Sequence, residues 1–265
     1  MSPQQLLAHL DSGDLWPEGA GAAFADVDGA YRVALAVEAL RVARGEQPRG
    51  YKIGFTNRKI WTRYNVFAPI WGSLWDTTVT SCEGAGELSL RGLCQPRIEP
   101  EAVFGFRAAP PDGAGVDEVF ESLEWVAPGF EIVQSHMADW KFAAPQTVAD
   151  GGLHGRLWVG TRSPVSALAS DAAGLHQVLA HARVELHRGA VRVDEGLGAN
   201  VLDSPLQALV HLLAALRSTP GARHLAAGDV VTTGTWTDAW PVEPGQTWTA
   251  RFDAALPALS VSFVN

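Results

Sequence analysis

Cysteine is scarce in this 265-residue chain, which has two, Cys82 and Cys94. They form no CxxC pair, which removes a disulfide framework and the usual zinc-site spacings, and both are expected as free thiols. Lysine and arginine number 20 against 29 acids, for a formal net charge of −9, and no basic cluster stands out. A nucleic-acid surface needs the opposite balance. No run approaches the roughly 20 apolar residues of a membrane span. The start, "MSPQQLLAHLDSGDLWPEG", lacks the basic end and apolar core of a signal peptide. A cytoplasmic protein is expected, with a small molecule as partner and neither nucleic acid nor membrane. Internal repeats, low-complexity tracts and convincing linkers are missing too, which favours one structural unit.

At 47% hydrophobic and 18% charged, the chain can bury a substantial core. Ser2 followed by Pro3 caps a short first helix. A longer one is expected from near Asp28, with Val33, Ala36, Val37 and Leu40 at helical spacing and Gly45 as its stop. These form an amino-terminal helical cap, 1–47. From "GYKIGF" onward, short apolar runs punctuated by Gly and Pro read as strands, with one helix expected over Val116 to Val126. "RVELHRGAVRV" alternates about an "RGA" turn, the pattern of a hairpin. "SPLQALVHLLAAL" reads as a helix capped by Ser204, with Leu206, Leu209, Val210 and Leu213 as its buried stripe. "GDVVTTGTW", "QTWTARF" and "LSVSFV" return to strands. The expected class is α+β and β-rich, with 48–265 as the catalytic β-rich domain.

"PRIEPEAVFGF", residues 96–106, sets Glu99 and Glu101 two apart on one face of a strand, where like charges repel unless a cation or proton intervenes. An isolated pair of this kind is commonly a solvated edge. A third acid, Glu131 in "PGFEIVQS", is expected to start another short apolar strand after a Pro-Gly turn. Three carboxylates without Cys or clustered His offer hard oxygen ligands, which suit Mg²⁺ or Mn²⁺ rather than zinc. Lys52, in "RGYKIGFT", lies in an apolar strand bounded by Gly50 and Gly54. Burial would lower its pKa toward that of a proton shuttle; the alternative is a strand lysine that snorkels to water.

"GYKIGFT", "PRIEPEAVFGF", "FEIVQSHMADWKFAAPQTVAD" and "GDVVTTGTWTDAWPVEPGQTWTARFDAALPALSVSF" occur in the order found in the fumarylacetoacetate hydrolase superfamily. Over about residues 28–264 the chain resembles its 2-keto-4-pentenoate hydratase and 4-oxalocrotonate decarboxylase branch. The resemblance implies a rolled mixed β-sheet, a divalent metal, a homo-oligomer and a 2-oxo acid substrate. It puts the metal ligands on Glu99, Glu101 and Glu131, and the catalytic lysine on Lys52. It places Asp76, in "WGSLWDTTV", near Lys52 to orient water or substrate. Asp139 and Asp150 are expected to brace loops. The chain departs at "LHGRLWVG", where Leu153, His154 and Arg156 replace small or hydroxyl side chains. These three with Trp75 are expected to bind substrate, and Trp61, Tyr64, Trp71 and Trp158 are further candidate walls.

The reaction so implied is hydration of a 2-hydroxydienoate or 2-oxo-enoate to a 4-hydroxy-2-oxo acid, as in aromatic-compound degradation. Decarboxylation of 4-oxalocrotonate is the alternative, kept open by Arg58, Arg63 and Arg156. Acylpyruvate hydrolysis is disfavoured because no His and Glu dyad precedes Lys52. A non-catalytic metal-binding scaffold would require the departures near His154 to have closed the pocket.

Overall fold

The computed structural model describes residues 1–64, 66–253 and 256–265, without the side chains at 60, 63 and 64. The expectations for Arg63 and Tyr64 therefore lie outside the described residues. The first helix, α1 (Pro3–Ser12), starts with a reciprocal cap in which Ser2 Oγ accepts from Gln5 N and Gln5 Oε1 accepts from Ser2 N. Helix α2 (Val27–Ala43) begins slightly earlier than expected, because its cap is Asp26, whose carboxylate accepts from Gly29 N at 2.6 Å. Leu6 of α1 with Tyr31 and Val37 of α2 joins the main core.

The strands in chain order are β1 (Pro48–Gly54), β2 (Ile70–Trp75), β3 (Val79–Ser81), β4 (Glu87–Ser89), β5 (Arg97–Phe106), β6 (Leu123–Val133), β7 (His154–Val159), β8 (Ser163–Pro164), β9 (Arg183–Arg188), β10 (Val191–Leu197), β11 (Val230–Thr232), β12 (Trp240–Pro241), β13 (Thr247–Phe252) and β14 (Leu259–Val264). The larger sheet runs β2-β1-β11-β5-β6-β7-β3, with β12 on β5 and β8 on β6. The smaller runs β10-β9-β13-β14-β4 and contains the expected β9–β10 hairpin. One connection fixes the shape of the larger sheet. Strand β2 lies at one edge and β3 at the other, yet only residues 76–78 separate them. A flat sheet of seven strands at about 4.8 Å spacing would put those edges roughly 29 Å apart, so the sheet rolls until they meet.

The roll sorts the side chains. On β5 the even-numbered Ile98, Ala102, Phe104 and Phe106 pack into the main core. The odd-numbered Arg97, Glu99, Glu101 and Val103 face the other way. Val103 there joins Leu74, Trp125, Ala127, Leu157, Val159 and Val230 in a second apolar cluster drawn from β2, β5, β6, β7 and β11. That cluster closes one end of the roll and leaves the glutamates above it. The two acids thus share a face with Val103, while Phe104 and Phe106 point outward into the main core.

Two sequence expectations need correction. The helix expected over Val116 to Val126 stops at Ser122, and from Leu123 the chain is already β6. Pro128 and Gly129 make no turn. They lie inside that 11-residue strand, so Glu131 falls near its end. The glycine serves close packing, since a Cβ there would come within 2.4 Å of Val103 Cγ2. The helix Pro205–Ser218 forms as expected, with Ser204 accepting from Leu206 N, but Val210 is only half-buried, and Leu212 and Leu216 complete the stripe. The stretch Gly198–Ser218, a short turn followed by this helix, has the length and mean hydropathy, 1.2, of a membrane span, although 56% of its most apolar window is buried inside the protein. Both cysteines are free.

Candidate metal and active site

Sheet register assembles the site from three distant segments. Glu99 on β5 is the direct partner of Glu131 on β6, and Glu101 is two residues along the same face. Strand β11 places Thr232 beside Lys52 of β1 on one side and beside Val103 of β5 on the other. In a flat sheet Lys52 and Glu131 would stand three strands apart, roughly 14 Å. The curl brings Lys52 Nζ to 2.9 Å from Glu131 Oε2. The Gly152 carbonyl also accepts from Lys52 Nζ at 2.9 Å. Gly152 takes φ +70°, and a Cβ on it would press on Lys52 Cδ at 3.1 Å and Gly72 Cα at 3.2 Å, so the turn holding the lysine needs glycine.

One oxygen of Glu131 and one of Glu101 are held from behind. Glu101 Oε2 accepts from the Thr232 hydroxyl and from Gly234 N at 2.7 Å. Glu131 Oε1 lies 2.8 Å from His154 Nδ1, whose Nε2 is 2.9 Å from Thr78 Oγ1. Glu101 Oε1, fully buried, has no hydrogen-bond partner among the described residues. Glu131 Oε2 lies 2.9 Å from the Lys52 ammonium, which pulls the carboxyl toward its ionised form.

Oxygens of the three glutamates lie within 4.8 Å of one another. Burial pushes Glu99 up to about 7 against the pull of Lys52, and burial with repulsion from Glu131 and Glu99 raises Glu101 well above the carboxylate range. Burial also works to raise Glu131, but Lys52 and His154 outweigh it and hold it low. Two of the three acids therefore resist ionising with Lys52 as the cation among them. A buried carboxylate oxygen without a donor and an unbalanced set of hard oxygens fit a divalent cation. Lys52 departs from expectation: burial pulls its ammonium down, yet Glu131, Glu99 and Glu101 together hold it above the ordinary value.

A cavity of about 250 Å³ opens onto Lys52 and Glu99. Its apolar walls are Phe55, Ile70, Val133, Trp140, Phe142 and Leu153, and Arg97 and Asp238 lie at its polar side. Arg97 rests on the Trp140 ring, 4.2 Å from its centroid. Of the four expected substrate-binding residues, Leu153 lines this cavity. His154 stands behind Glu131 and borders two separate recesses with Arg41, one lined also by Trp75 and the other by Arg156.

The geometry does not bring Asp76 to Lys52. Lys52 pairs with Gly72 on β2, and Asp76 is exposed past the end of that strand, where its Oδ1 accepts from Gln47 N at 3.0 Å. None of Trp61, Trp71 and Trp158 lines the cavity. Trp71 stacks on Tyr31 with centroids 4.6 Å apart, and Trp61 donates to the Phe55 carbonyl. Asp150 accepts from the His136 backbone N at 3.0 Å, as a loop brace would, and its other oxygen is 2.6 Å from His136 Nδ1. Arg97 escaped the sequence reading although it lies two residues before Glu99, the same spacing that singled out the acids. Trp140 and Phe142 carried no comparable signal, because a loop delivers them.

No protein-family model matches the chain. It is 33% identical over 243 residues to the 2-hydroxyhexa-2,4-dienoate hydratase of Comamonas testosteroni, covering 90% of this chain and 86% of that one. It is 31% identical over 243 residues to the 4-oxalocrotonate decarboxylase of Pseudomonas sp. strain CF600, covering 91% and 86%. Among solved structures, the 4-oxalocrotonate decarboxylase from Pseudomonas putida G7, complexed with magnesium and adipate, matches with a TM-score of 0.86 at 24% identity, over 100% of this chain and 99% of that one. The fumarylpyruvate hydrolase from Pseudomonas aeruginosa, in complex with Mn²⁺ and pyruvate, matches at 0.64 and 17%, over 82% and 89%. The rolled sheet is a fold the chain shares with these two structures and with a fumarylacetoacetate hydrolase family protein of Yersinia pestis. By its relatives, the chain belongs to the 2-keto-4-pentenoate hydratase and 4-oxalocrotonate decarboxylase family, and it is a lyase.

Proposed function

We propose that the protein hydrates a 2-hydroxydienoate, or its 2-oxo-enoate tautomer, to a 4-hydroxy-2-oxo acid. The observation that carries this reading is Lys52, buried 2.9 Å from Glu131 Oε2 at the wall of a cavity that also exposes Glu99. Glu99, Glu101 and Glu131 would hold Mg²⁺ or Mn²⁺, which when bound supplies Lewis-acid polarisation to a 2-oxo acid head. Lys52 moves a proton between the enol oxygen and the carbon skeleton, and Glu131 with the Gly152 carbonyl keeps its ammonium aimed. Phe55, Phe142 and Leu153 exclude bulk water around the carbon chain.

Decarboxylation is the second reading, and the observation in its favour is Arg97 in the cavity wall. Arg58 is paired with Asp203 at 2.8 Å and, like Arg156, does not line the cavity, so a single described arginine does. Hydrolysis of acylpyruvates is disfavoured because no histidine is among the described residues lining the cavity. An inert scaffold is disfavoured because the cavity is open.

Mass spectrometry after incubation with 2-hydroxypenta-2,4-dienoate and Mg²⁺ tests the proposal. Gain of one water is the expected result. Loss of CO₂ from a diacid analogue, with no hydration of the dienoate, would transfer the assignment to the decarboxylase. After chelation, Mg²⁺ or Mn²⁺ should restore turnover and Zn²⁺ should do so poorly; full activity in excess EDTA would refute the metal role.

A further inference from the structure

His154 is buried, with its side chain 4% exposed, and it touches no part of the catalytic cavity. Both ring nitrogens are engaged: Nδ1 is 2.8 Å from Glu131 Oε1, and Nε2 is 2.9 Å from Thr78 Oγ1. An ionised carboxylate only accepts hydrogen bonds, so Nδ1 carries the proton toward Glu131. In the neutral ring Nε2 is then an acceptor facing the Thr78 hydroxyl, whose single proton it shares with the Trp75 carbonyl at 3.2 Å. That hydroxyl sits in the turn joining the two edges of the rolled sheet, and the Leu157 N–H of the adjoining strand donates to the Thr78 carbonyl at 2.8 Å.

We infer that His154, braced by Thr78, is a positioning residue that clamps Glu131 Oε1 and so turns Oε2 toward Lys52 and the other two acids. Glu101 offers the internal comparison, since Thr232 and Gly234 hold its Oε2 and leave Oε1 without a partner. Each of these buried carboxylates has one oxygen pinned from behind and one presented forward. Glu101 is pinned from β11 and the residues after it. Glu131 is pinned by the first residue of β7, where the β6–β7 register shifts between Ile132 and Val133. Removing the imidazole would leave a buried carboxylate oxygen without a donor and free the side chain to swing. The inference rests on the reading that the three glutamates hold a divalent cation.

The test is Mn²⁺ binding to the full-length, chelator-treated protein, read by the electron paramagnetic resonance of free Mn²⁺ and independent of turnover. Partners behind metal ligands typically contribute about 10- to 100-fold in affinity, and His154→Ala should lose an amount in that range. His154→Asn places an amide nitrogen near the position of Nδ1 and should recover most of the loss. His154→Gln reaches instead toward the position of Nε2 and should not. Thr78→Val, which removes the brace and keeps the shape, should weaken binding less than His154→Ala, and Thr78→Ser should be close to wild type.

Equal effects of Asn and Gln would mean that the ring only fills space and would overturn the clamp. Wild-type affinity in His154→Ala would do the same. If that variant fails to fold, the Asn and Gln pair with the Thr78 pair carries the test. Absence of Mn²⁺ binding in the wild type would overturn the metal reading and the clamp with it, whereas wild-type binding left intact in the variants overturns the clamp alone.

Discussion

At the closed end of the rolled sheet, seven apolar side chains from five strands meet behind the glutamates: Leu74, Val103, Trp125, Ala127, Leu157, Val159 and Val230. The open end is built from a different source. Its walls combine Phe55, Trp140, Phe142 and Leu153, from loops and short turns, with Ile70, Arg97 and Val133, from the ends of strands. The closed end follows from strand periodicity, with side chains two residues apart falling on the same face. The open end depends on where loops cross the mouth, which no local period dictates. Lys52 and the three glutamates occupy the boundary, fixed by register on one side, and Lys52 and Glu99 line the cavity on the other.

The largest break in this comparison is at that boundary. Lys52→Met removes the ammonium and keeps most of the side-chain volume. Turnover should fall by about 10²- to 10⁴-fold, the usual contribution of a general acid or base. Oxalate, a mimic of the 2-oxo acid head, should still bind in the presence of Mg²⁺. Solvent deuterium exchange at C3 of a saturated 2-oxo acid isolates proton transfer; the wild type should catalyse it and the variant should not. Exchange at the wild-type rate would make Lys52 structural.

Leu157→Ala tests the closed end. Leu157 is fully buried in the second cluster and is the register partner of Glu131 on β7. Truncation of a buried leucine costs about 2–5 kcal/mol, lowering Tm, while Mn²⁺ affinity well below the transition should hold. A stable variant with lost Mn²⁺ binding would instead make the cluster part of the metal site.

The mouth should show a smaller and more selective response. Trp140 supports the Arg97 guanidinium at 4.2 Å, an interaction worth about 0.5–1 kcal/mol when exposed and more when desolvated. Trp140→Leu should therefore shift the ratio of kcat/KM between diacid and neutral-tailed 2-oxo acids by on the order of two- to tenfold, with Tm little changed. An unchanged ratio would place both residues outside the region that senses the distal end of the substrate.

The same division explains what could be read before the structure. Glu99 and Glu101 were legible because two residues on a strand share a face, and Lys52 because a charged residue interrupts an apolar strand. The closeness of Glu131 was not readable from spacing; it comes from antiparallel register between β5 and β6, which no local pattern encodes. Pro128 and Gly129 pointed to a turn because that dipeptide usually makes one, and tertiary packing against Val103 overrode the local signal. His154 stands out in the sequence as a departure, but no local pattern encodes its direction. Residues 151–153, all at positive φ, lead into β7 and set where that strand begins, so the histidine backs Glu131 instead of facing substrate.

Asp76 yields the smallest expected effect and the sharpest test of position against resemblance. It lies just past the β2 end, four residues beyond the Gly72 that pairs with Lys52. Its Oδ1 accepts from Gln47 N at 3.0 Å, and its own N donates to the Gln47 carbonyl at 3.0 Å, a local closure between the start of β1 and the end of β2. Asparagine retains the accepting oxygen, so Asp76→Asn should leave kcat/KM and Tm near wild type. Asp76→Ala loses one exposed hydrogen bond, a net contribution of about 0.5–1.5 kcal/mol at most, and should lower Tm slightly without touching C3 exchange. The side chain is exposed and remote from the cavity lining, so charge removal there cannot alter proton transfer by contact. A loss of C3 exchange in Asp76→Asn comparable to that in Lys52→Met would show that this turn folds against the site during turnover and would overturn the placement of Asp76 outside the machinery.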